Sequence, residues 1–395
     1  MQIQVRQGDS FWYYATTFNV PLSLIIDSNP TLSPTTLPIG QAVQIPGYRS
    51  TSYQIKAGDT LDKIAASNKI PVDLLHLVNP STAPTKLQAG QIIQFPTRIT
   101  APLVNGNQNY DFQVLTDHLN QLYELYPFIK RNTIGNSVMG KNLVELQIGR
   151  GPKLVHWNAS FHANEWITTA IMMEFINEYL LSLTNREPIR GRLTNPLYDQ
   201  VTLSIVPMVD PDGVNLVLNG PPEGDFGELA LRINSGNSDF SGWKANIRGV
   251  DLNKQYPAKW KLEAARKPKK PSPRDFPGNR PLTEPESIAM AKLAEKRLFE
   301  KVLAFHTQGE VIYWGYEGLE PSKAEEIVDE FARESSYEPV RFVDSYTGYK
   351  DWFIKEWRRP GYTVELGHGV NPLPLSQFKE IYNKSRGIFL ASMYM

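Results

Sequence analysis

The chain has 395 residues, more than one ordinary hydrophobic core accommodates, so two or three domains are expected. Lysine plus arginine and aspartate plus glutamate both number 41, which excludes the net field that draws a protein to nucleic acid or an anionic membrane. No cysteine is present, so thiol catalysis, disulfides and cysteine-ligated zinc are excluded, and no apolar run approaches the roughly 18 residues of a membrane span.

The first segment, Met1-Gln2-Ile3-Gln4-Val5, lacks a charged stretch followed by an apolar one, so no secretory signal is visible. It opens a repeat. Shifting the chain by 50 places Gly8-Asp9-Ser10 on Gly58-Asp59-Thr60, Val20-Pro21 on Ile70-Pro71 and Asn29-Pro30 on Asn79-Pro80. Leu37 then falls on Leu87, Gly40-Gln41 on Gly90-Gln91, and Pro46 on Pro96. A register held that long without a gap predicts two copies of one module, over 1–48 and 51–98.

Each copy predicts a short strand (Ile3 to Val5, Tyr53 to Ile55) and a Gly-Asp turn whose aspartate caps the next helix. A second short helix follows (around Leu22 to Ile26, Val72 to Leu77). Asn-Pro ends it, because the residue before proline is pushed out of the helical region. A last strand (Ala42 to Ile45, Ile92 to Phe95) stops at proline. This β-α-α-β pattern resembles the lysin motif, whose modules bind N-acetylglucosamine-containing glycans such as peptidoglycan. The resemblance implies glycan contacts at Gly8, Asp9 and Asn29 in the first copy and Gly58, Asp59 and Asn79 in the second. In the first copy Phe11-Trp12-Tyr13-Tyr14 replaces the usual Leu-x-x-Ile, which suits either sugar stacking or core filling.

Tyr48 to Ser52 reads as a short polar joint and Thr97 to Asn109 as a longer one. Beyond them one large domain is expected, over 104–395. Strands at Leu154 to Trp157, Val201 to Val206, Val302 to Phe305 and Tyr362 to Leu366 alternate with helices at Asp111 to Leu125, Trp166 to Leu183, Glu284 to Arg297 and Lys323 to Ser335. That alternation predicts an α/β fold with a mixed, largely parallel sheet, and functional groups beyond the carboxyl ends of its strands. Lys267 to Arg274, rich in lysine and proline, reads as an exposed loop, or else as a lid or a contact with an anionic wall polymer.

Chemistry gathers at strand ends. His162 and Glu165, three apart after an apolar run, can reach one small cation, and a second run delivers His306. Two imidazoles and a carboxylate suit one zinc ion with a position left for water, whose pKa falls from about 15.7 toward about 7. A separate carboxylate must carry the proton to the leaving amine, and Glu365 in Tyr362-Thr363-Val364-Glu365-Leu366 is the candidate. For the oxyanion, Arg248 in Arg248-Gly249-Val250-Asp251-Leu252-Asn253 is preferred, with Lys244 in Trp243-Lys244-Ala245-Asn246 as the rival. His156 reads as strand packing and His368 as loop.

In that order, these motifs resemble the zinc metallocarboxypeptidase family. Val209-Asp210-Pro211-Asp212-Gly213 is similar to its Asn-Pro-Asp-Gly turn, and Gly135 to Lys141 to its Gly-x-Ser-x-x-Gly-Arg hairpin. The resemblance implies zinc on His162, Glu165 and His306, with Glu365 as proton carrier. It also implies that Asn253 and Lys254 hold the carboxylate of the departing residue, though the family usually has arginine where Lys254 stands. Lys350 falls near the floor of the specificity pocket, and Tyr346 or Tyr349 is the capping tyrosine. With two lysin motifs attached, the chain looks like the γ-D-glutamyl-meso-diaminopimelate endopeptidases of sporulating Gram-positive bacteria. The expected setting is then the cell wall, or the cytoplasm or spore compartment. A general carboxypeptidase and an inactive wall-binding protein are the alternatives.

Overall fold

The computed structural model describes residues 1–82 and 87–395. They form two compact units: Met1–Leu103 with His118–Lys130 and Asn177–Pro196, and Val104–Asp117 with Arg131–Ile176 and Leu197–Met395.

In the first unit each repeat folds as expected, β-α-α-β. Strand β1 (Gln2–Gln4) pairs antiparallel with β2 (Ala42–Gln44) around helices Phe11–Thr17 and Leu22–Asp27. Strand β3 (Tyr48–Gln54) pairs with β4 (Ile92–Arg98) around Leu61–Ser67 and Val72–Val78. Two local expectations fail. The segment 48–52 is strand rather than joint, in register from Tyr48 opposite Arg98 to Gln54 opposite Ile92. Strand β4 accordingly runs through Pro96, which is tolerated because both strands of a two-stranded ribbon are edges. The helix caps are Ser10 and Thr60, not the aspartates before them: Tyr13 N–H donates to Ser10 Oγ at 3.1 Å and Lys63 N–H to Thr60 Oγ1 at 3.2 Å. The aspartates close the preceding turn instead, accepting from the amides of Arg6 (2.9 Å) and Lys56 (2.8 Å).

The second unit is built on an eight-stranded sheet in the order β11-β10-β12-β9-β7-β8-β6-β5. Its strands are β5 (Lys130–Asn136), β6 (Asn142–Gly149), β7 (Lys153–Ala159), β8 (Val201–Val206), β9 (Lys301–His306), β10 (Val311–Tyr313), β11 (Glu338–Val340) and β12 (Gly361–Glu365). The central four, β12-β9-β7-β8, run parallel, while β6 and β10 run antiparallel to their inner neighbours. The sheet is therefore mixed, as the alternating pattern predicts. The expected helices lie at Phe112–Leu125, Ile167–Asn185, Pro285–Arg297 and Lys323–Ser335.

Central parallel strands are covered on both faces, so they read as continuous apolar runs, and every residue of β9 is buried. On one face Trp157 and Phe305 pack against Phe389; on the other Phe161, Tyr256, Tyr349 and Trp352 form an aromatic cluster. Burying each such side chain stabilises the fold by about 1.5–3 kcal/mol. Asp210 caps helix Pro211–Asn219 by accepting from Gly213 N–H at 2.9 Å. Asp212 in its first turn fastens the 135–141 hairpin, through Met139 N–H at 2.8 Å and Lys141 Nζ at 2.6 Å. The carboxyl ends of β7, β9 and β12 are thus held at a common rim.

Candidate active site

Beyond β7 the chain turns sharply at Ser160, whose φ of 48° lies in the left-handed region. Buried Phe161 anchors the turn, and the short 3-10 helix Ala163–Glu165 follows. A three-residue step on that helix brings His162 and Glu165 together, with Nδ1 to Oε1 at 2.9 Å. His306 is the last residue of β9, and its Nδ1 lies 2.9 Å from Glu165 Oε2 and 3.1 Å from His162 Nδ1. All three ligand atoms lie within 4.8 Å of one another, and all three residues are buried. Two imidazole nitrogens and one carboxylate converging on a point are a donor set that fits zinc with a position left over. Burial opposes ionisation of Glu165, but His162 and His306 hold its carboxyl below the usual range.

Glu365, last residue of β12, lies directly across from His306 in the parallel register. It is not part of the three-residue donor set. Desolvation pushes its carboxyl up to about 7; Glu165 adds to this, and His306 and Lys244 oppose it. A carboxylate poised near neutrality beside the donor set is suited to take and return a proton.

One functional partner was not singled out from sequence: Asp251. Its Oδ1 lies 3.2 Å from His162 Nε2 and also accepts Asn253 N–H at 3.0 Å. A carboxylate on the far nitrogen fixes the ring and leaves Nδ1 for the metal. Burial opposes its ionisation, yet Lys244, His162 and Lys254 hold it well below the ordinary range. The signal available was a carboxylate in the Gly-Val-Asp-Leu-Asn segment, but spacing does not reveal which distant histidine it meets. Asn371 also went unnoticed; its Nδ2 donates to Thr307 O at 3.0 Å and lies 3.5 Å from Glu165 Oε1.

The two cations expected for the oxyanion are placed differently. Arg248 is half-exposed and its Nε donates to Glu284 Oε2 at 3.0 Å, a carboxylate that also takes Asn246. Lys244 stands nearer the centre, 3.7 Å from both Asp251 Oδ2 and Asp275 Oδ1. Burial lowers its affinity for a proton, but Asp251, Glu165, Asp275 and Glu365 more than restore it.

The other residues expected to meet substrate make internal contacts. Asn253 Oδ1 accepts Tyr349 N–H at 2.9 Å. Lys254 is buried, with Nζ 2.8 Å from both Glu263 Oε1 and Ser345 Oγ. Lys350, expected near the floor of a specificity pocket, is buried against Asp351 at 2.5 Å and donates to Gly315 O at 2.8 Å. Of the two candidate capping tyrosines, Tyr349 is buried in the aromatic core and Tyr346 is only partly buried against it. Tyr346 borders a cavity of about 540 Å³ with Tyr316, Glu317 and Phe342. His156 is fully buried, stacks on Phe299, and burial pushes it down to about 3. His368 is exposed and pairs with Glu310 at 3.0 Å, as loop structure.

In the repeats, Asn29 and Asn79 are buried clamps. Asn79 Nδ2 donates to Leu75 O and Gln94 O, both at 2.8 Å, and its Oδ1 accepts Gln94 N–H at 2.8 Å; Asn29 does the same with Ile25 and Gln44. Asp9 and Asp59 are likewise occupied within the turn, and Gly8 and Gly58 supply positive φ there (84° and 80°). These residues, expected to meet glycan, thus also shape the module through hydrogen bonds within it. Phe11 and Tyr14 fill the core, whereas Trp12 is 68% exposed.

A two-histidine, one-glutamate donor set at the carboxyl ends of a mixed α/β sheet, with a free carboxylate beside it, defines a zinc-dependent amide hydrolase. The chain belongs to the zinc carboxypeptidase family, whose profile matches residues 115–386. LysM domains match residues 3–46 and 53–96; such domains bind peptidoglycan, so the enzyme is associated with the cell wall. The chain is similar to gamma-D-glutamyl-L-diamino acid endopeptidase 1 of Lysinibacillus sphaericus, 60% identical over 396 residues and 100% of both chains. It is also similar to YqgT of Bacillus subtilis (strain 168), 47% identical over 290 residues, 72% of this chain and 77% of that one. Bovine thrombin-activatable fibrinolysis inhibitor, in complex with tick carboxypeptidase inhibitor, shares the fold. Its TM-score is 0.57 at 17% identity, over 73% of this chain and 97% of that one. Among the described residues, no helix is long and apolar enough to cross a membrane.

Proposed function

We propose that this zinc peptidase hydrolyses the amide joining γ-D-glutamate to meso-diaminopimelate in peptidoglycan stem peptides. Glycan modules at 1–48 and 51–98 would hold the peptidase domain, 104–395, on its polymer. The observation that carries the reading is the end-to-end likeness to a γ-D-glutamyl-diamino acid endopeptidase, which spans both modules and the peptidase domain. Tethering adds a physical advantage, because a bound enzyme meets stem peptides at high effective concentration.

His162, Glu165 and His306 would hold the zinc, which supplies Lewis acidity and makes water nucleophilic at neutral pH. Asp251 keeps His162 in the tautomer that presents Nδ1. Glu365 accepts the proton of the attacking water and passes it to the departing amine as the C–N bond breaks. Lys244 faces the charge that builds on the carbonyl oxygen; losing one such donor typically costs about 3 kcal/mol of transition-state stabilisation. Asn253 and Tyr346 border the side on which the diamino acid leaves.

The test is a pair of isomers. L-Ala-γ-D-Glu-meso-diaminopimelate should release L-Ala-D-Glu, and the isomer with α-linked L-glutamate should react poorly. Removal of single C-terminal residues from ordinary L-peptides at comparable kcat/KM would replace this reading with that of a general carboxypeptidase.

A further inference from the structure

Lys254 follows Asn253 on the 3-10 turn 252–254, where a carboxylate of the departing residue would be met. A free ammonium there would favour substrates ending in an α-carboxylate. In this chain it is not free. Glu263, on helix Trp260–Ala265, has a fully buried side chain whose Oε1 receives Lys254 Nζ at 2.8 Å. Its Oε2 receives Arg266 Nη2 at 2.7 Å, and Lys267 Nζ lies 3.7 Å from Oε1. Ser345 Oγ accepts a second N–H of the Lys254 ammonium at 2.8 Å, so two of its three donors are used within the protein.

Arg266 extends the arrangement across the 342–346 loop. It donates to Asp344 Oδ2 at 2.7 Å and Asp344 O at 2.8 Å, and its guanidinium lies 5.1 Å from the Tyr346 ring centre. The carboxylate that satisfies Lys254 is therefore built into the protein, and Arg266 links it to the ring of Tyr346.

We propose that Glu263 is a specificity-determining residue: by neutralising Lys254 it removes the demand for a free α-carboxylate on the departing residue. Stem peptides that continue past the diamino acid are then accepted, and the enzyme works as an endopeptidase on a carboxypeptidase frame. The inference rests on the substrate proposed above and adds the residue that sets its extent.

The test compares two forms of L-Ala-γ-D-Glu-meso-diaminopimelate, with the carboxyl next to the scissile nitrogen either free or as the carboxamide. For the wild-type enzyme the two kcat/KM values should agree within about tenfold, the discrimination carried by one charge-assisted hydrogen bond. In Glu263→Gln the ratio of free to amidated should rise by at least about tenfold, chiefly through KM, with zinc content unchanged. A wild-type preference for the free acid beyond about tenfold overturns the proposal, and that arm stands even if the variant does not fold. An unchanged ratio in Glu263→Gln overturns it as well. Failure of the wild-type enzyme to cleave either compound removes the substrate reading and this proposal with it.

Discussion

The two sides of the peptidase cleft treat charge in opposite ways. On the zinc side His162, Glu165 and His306 point at one another closely enough to compete for the same proton, a poor arrangement until a cation joins them. On the side proposed for the departing residue, Lys254 and Lys350 are each matched by a carboxylate of the protein, Glu263 and Asp351. Burying an isolated charge is costly, so a buried ionisable group is either aimed at a ligand or cancelled internally. The difference is between a cluster with room for a cation and a pair of cations already matched within the protein.

Glu365→Gln probes the chemical side with the largest expected effect. It keeps the shape and removes the proton acceptor, so kcat should fall about 10²–10⁴-fold while zinc stays bound. Near wild-type turnover would move the base elsewhere. Asp251→Asn comes next. It weakens the support behind His162, and zinc affinity should drop about 10–100-fold in competition with a chelator. Unaltered affinity would mean that His162 needs no such support.

The LysM modules offer a gentler contrast, because their polar groups serve the fold. Asn79→Ala removes one hydrogen bond to helix Val72–Val78 and two to β4, and should lower stability toward denaturant by about 1–3 kcal/mol. Hydrolysis of a small soluble stem peptide should be unchanged at low temperature; a parallel loss of kcat would tie the module to catalysis. The smallest effect belongs to Trp12→Ala. Its exposed ring could stack on sugar, and the variant should sediment with peptidoglycan only a few-fold less, on the order of 1 kcal/mol. Equal sedimentation would leave Trp12 without a role in binding.

The same contrast explains what could be read from sequence. That His162, Glu165, His306 and Glu365 meet at one rim was legible because each ends an apolar run, and parallel strands deliver their ends together. The repeat was legible because a constant shift of 50 needs no knowledge of contacts. Pairings between distant residues were not. Nothing in the spacing says that Lys254 meets Glu263, that Arg248 meets Glu284, or that Asp251 lies behind His162. Tyr48 to Ser52 looked like a joint because its composition is polar, yet in a two-stranded ribbon the backbone pairing with β4 decides, not side-chain burial.

The central claim is that the convergent donor set exists for zinc and that hydrolysis depends on it. The direct measurement strips the purified full-length chain with a chelator and titrates zinc back, following metal content and hydrolysis of L-Ala-γ-D-Glu-meso-diaminopimelate together. The account predicts no hydrolysis in the stripped protein and full recovery at one zinc per chain, with Glu165→Gln failing to recover at that stoichiometry. Full activity in protein that carries no zinc would contradict it.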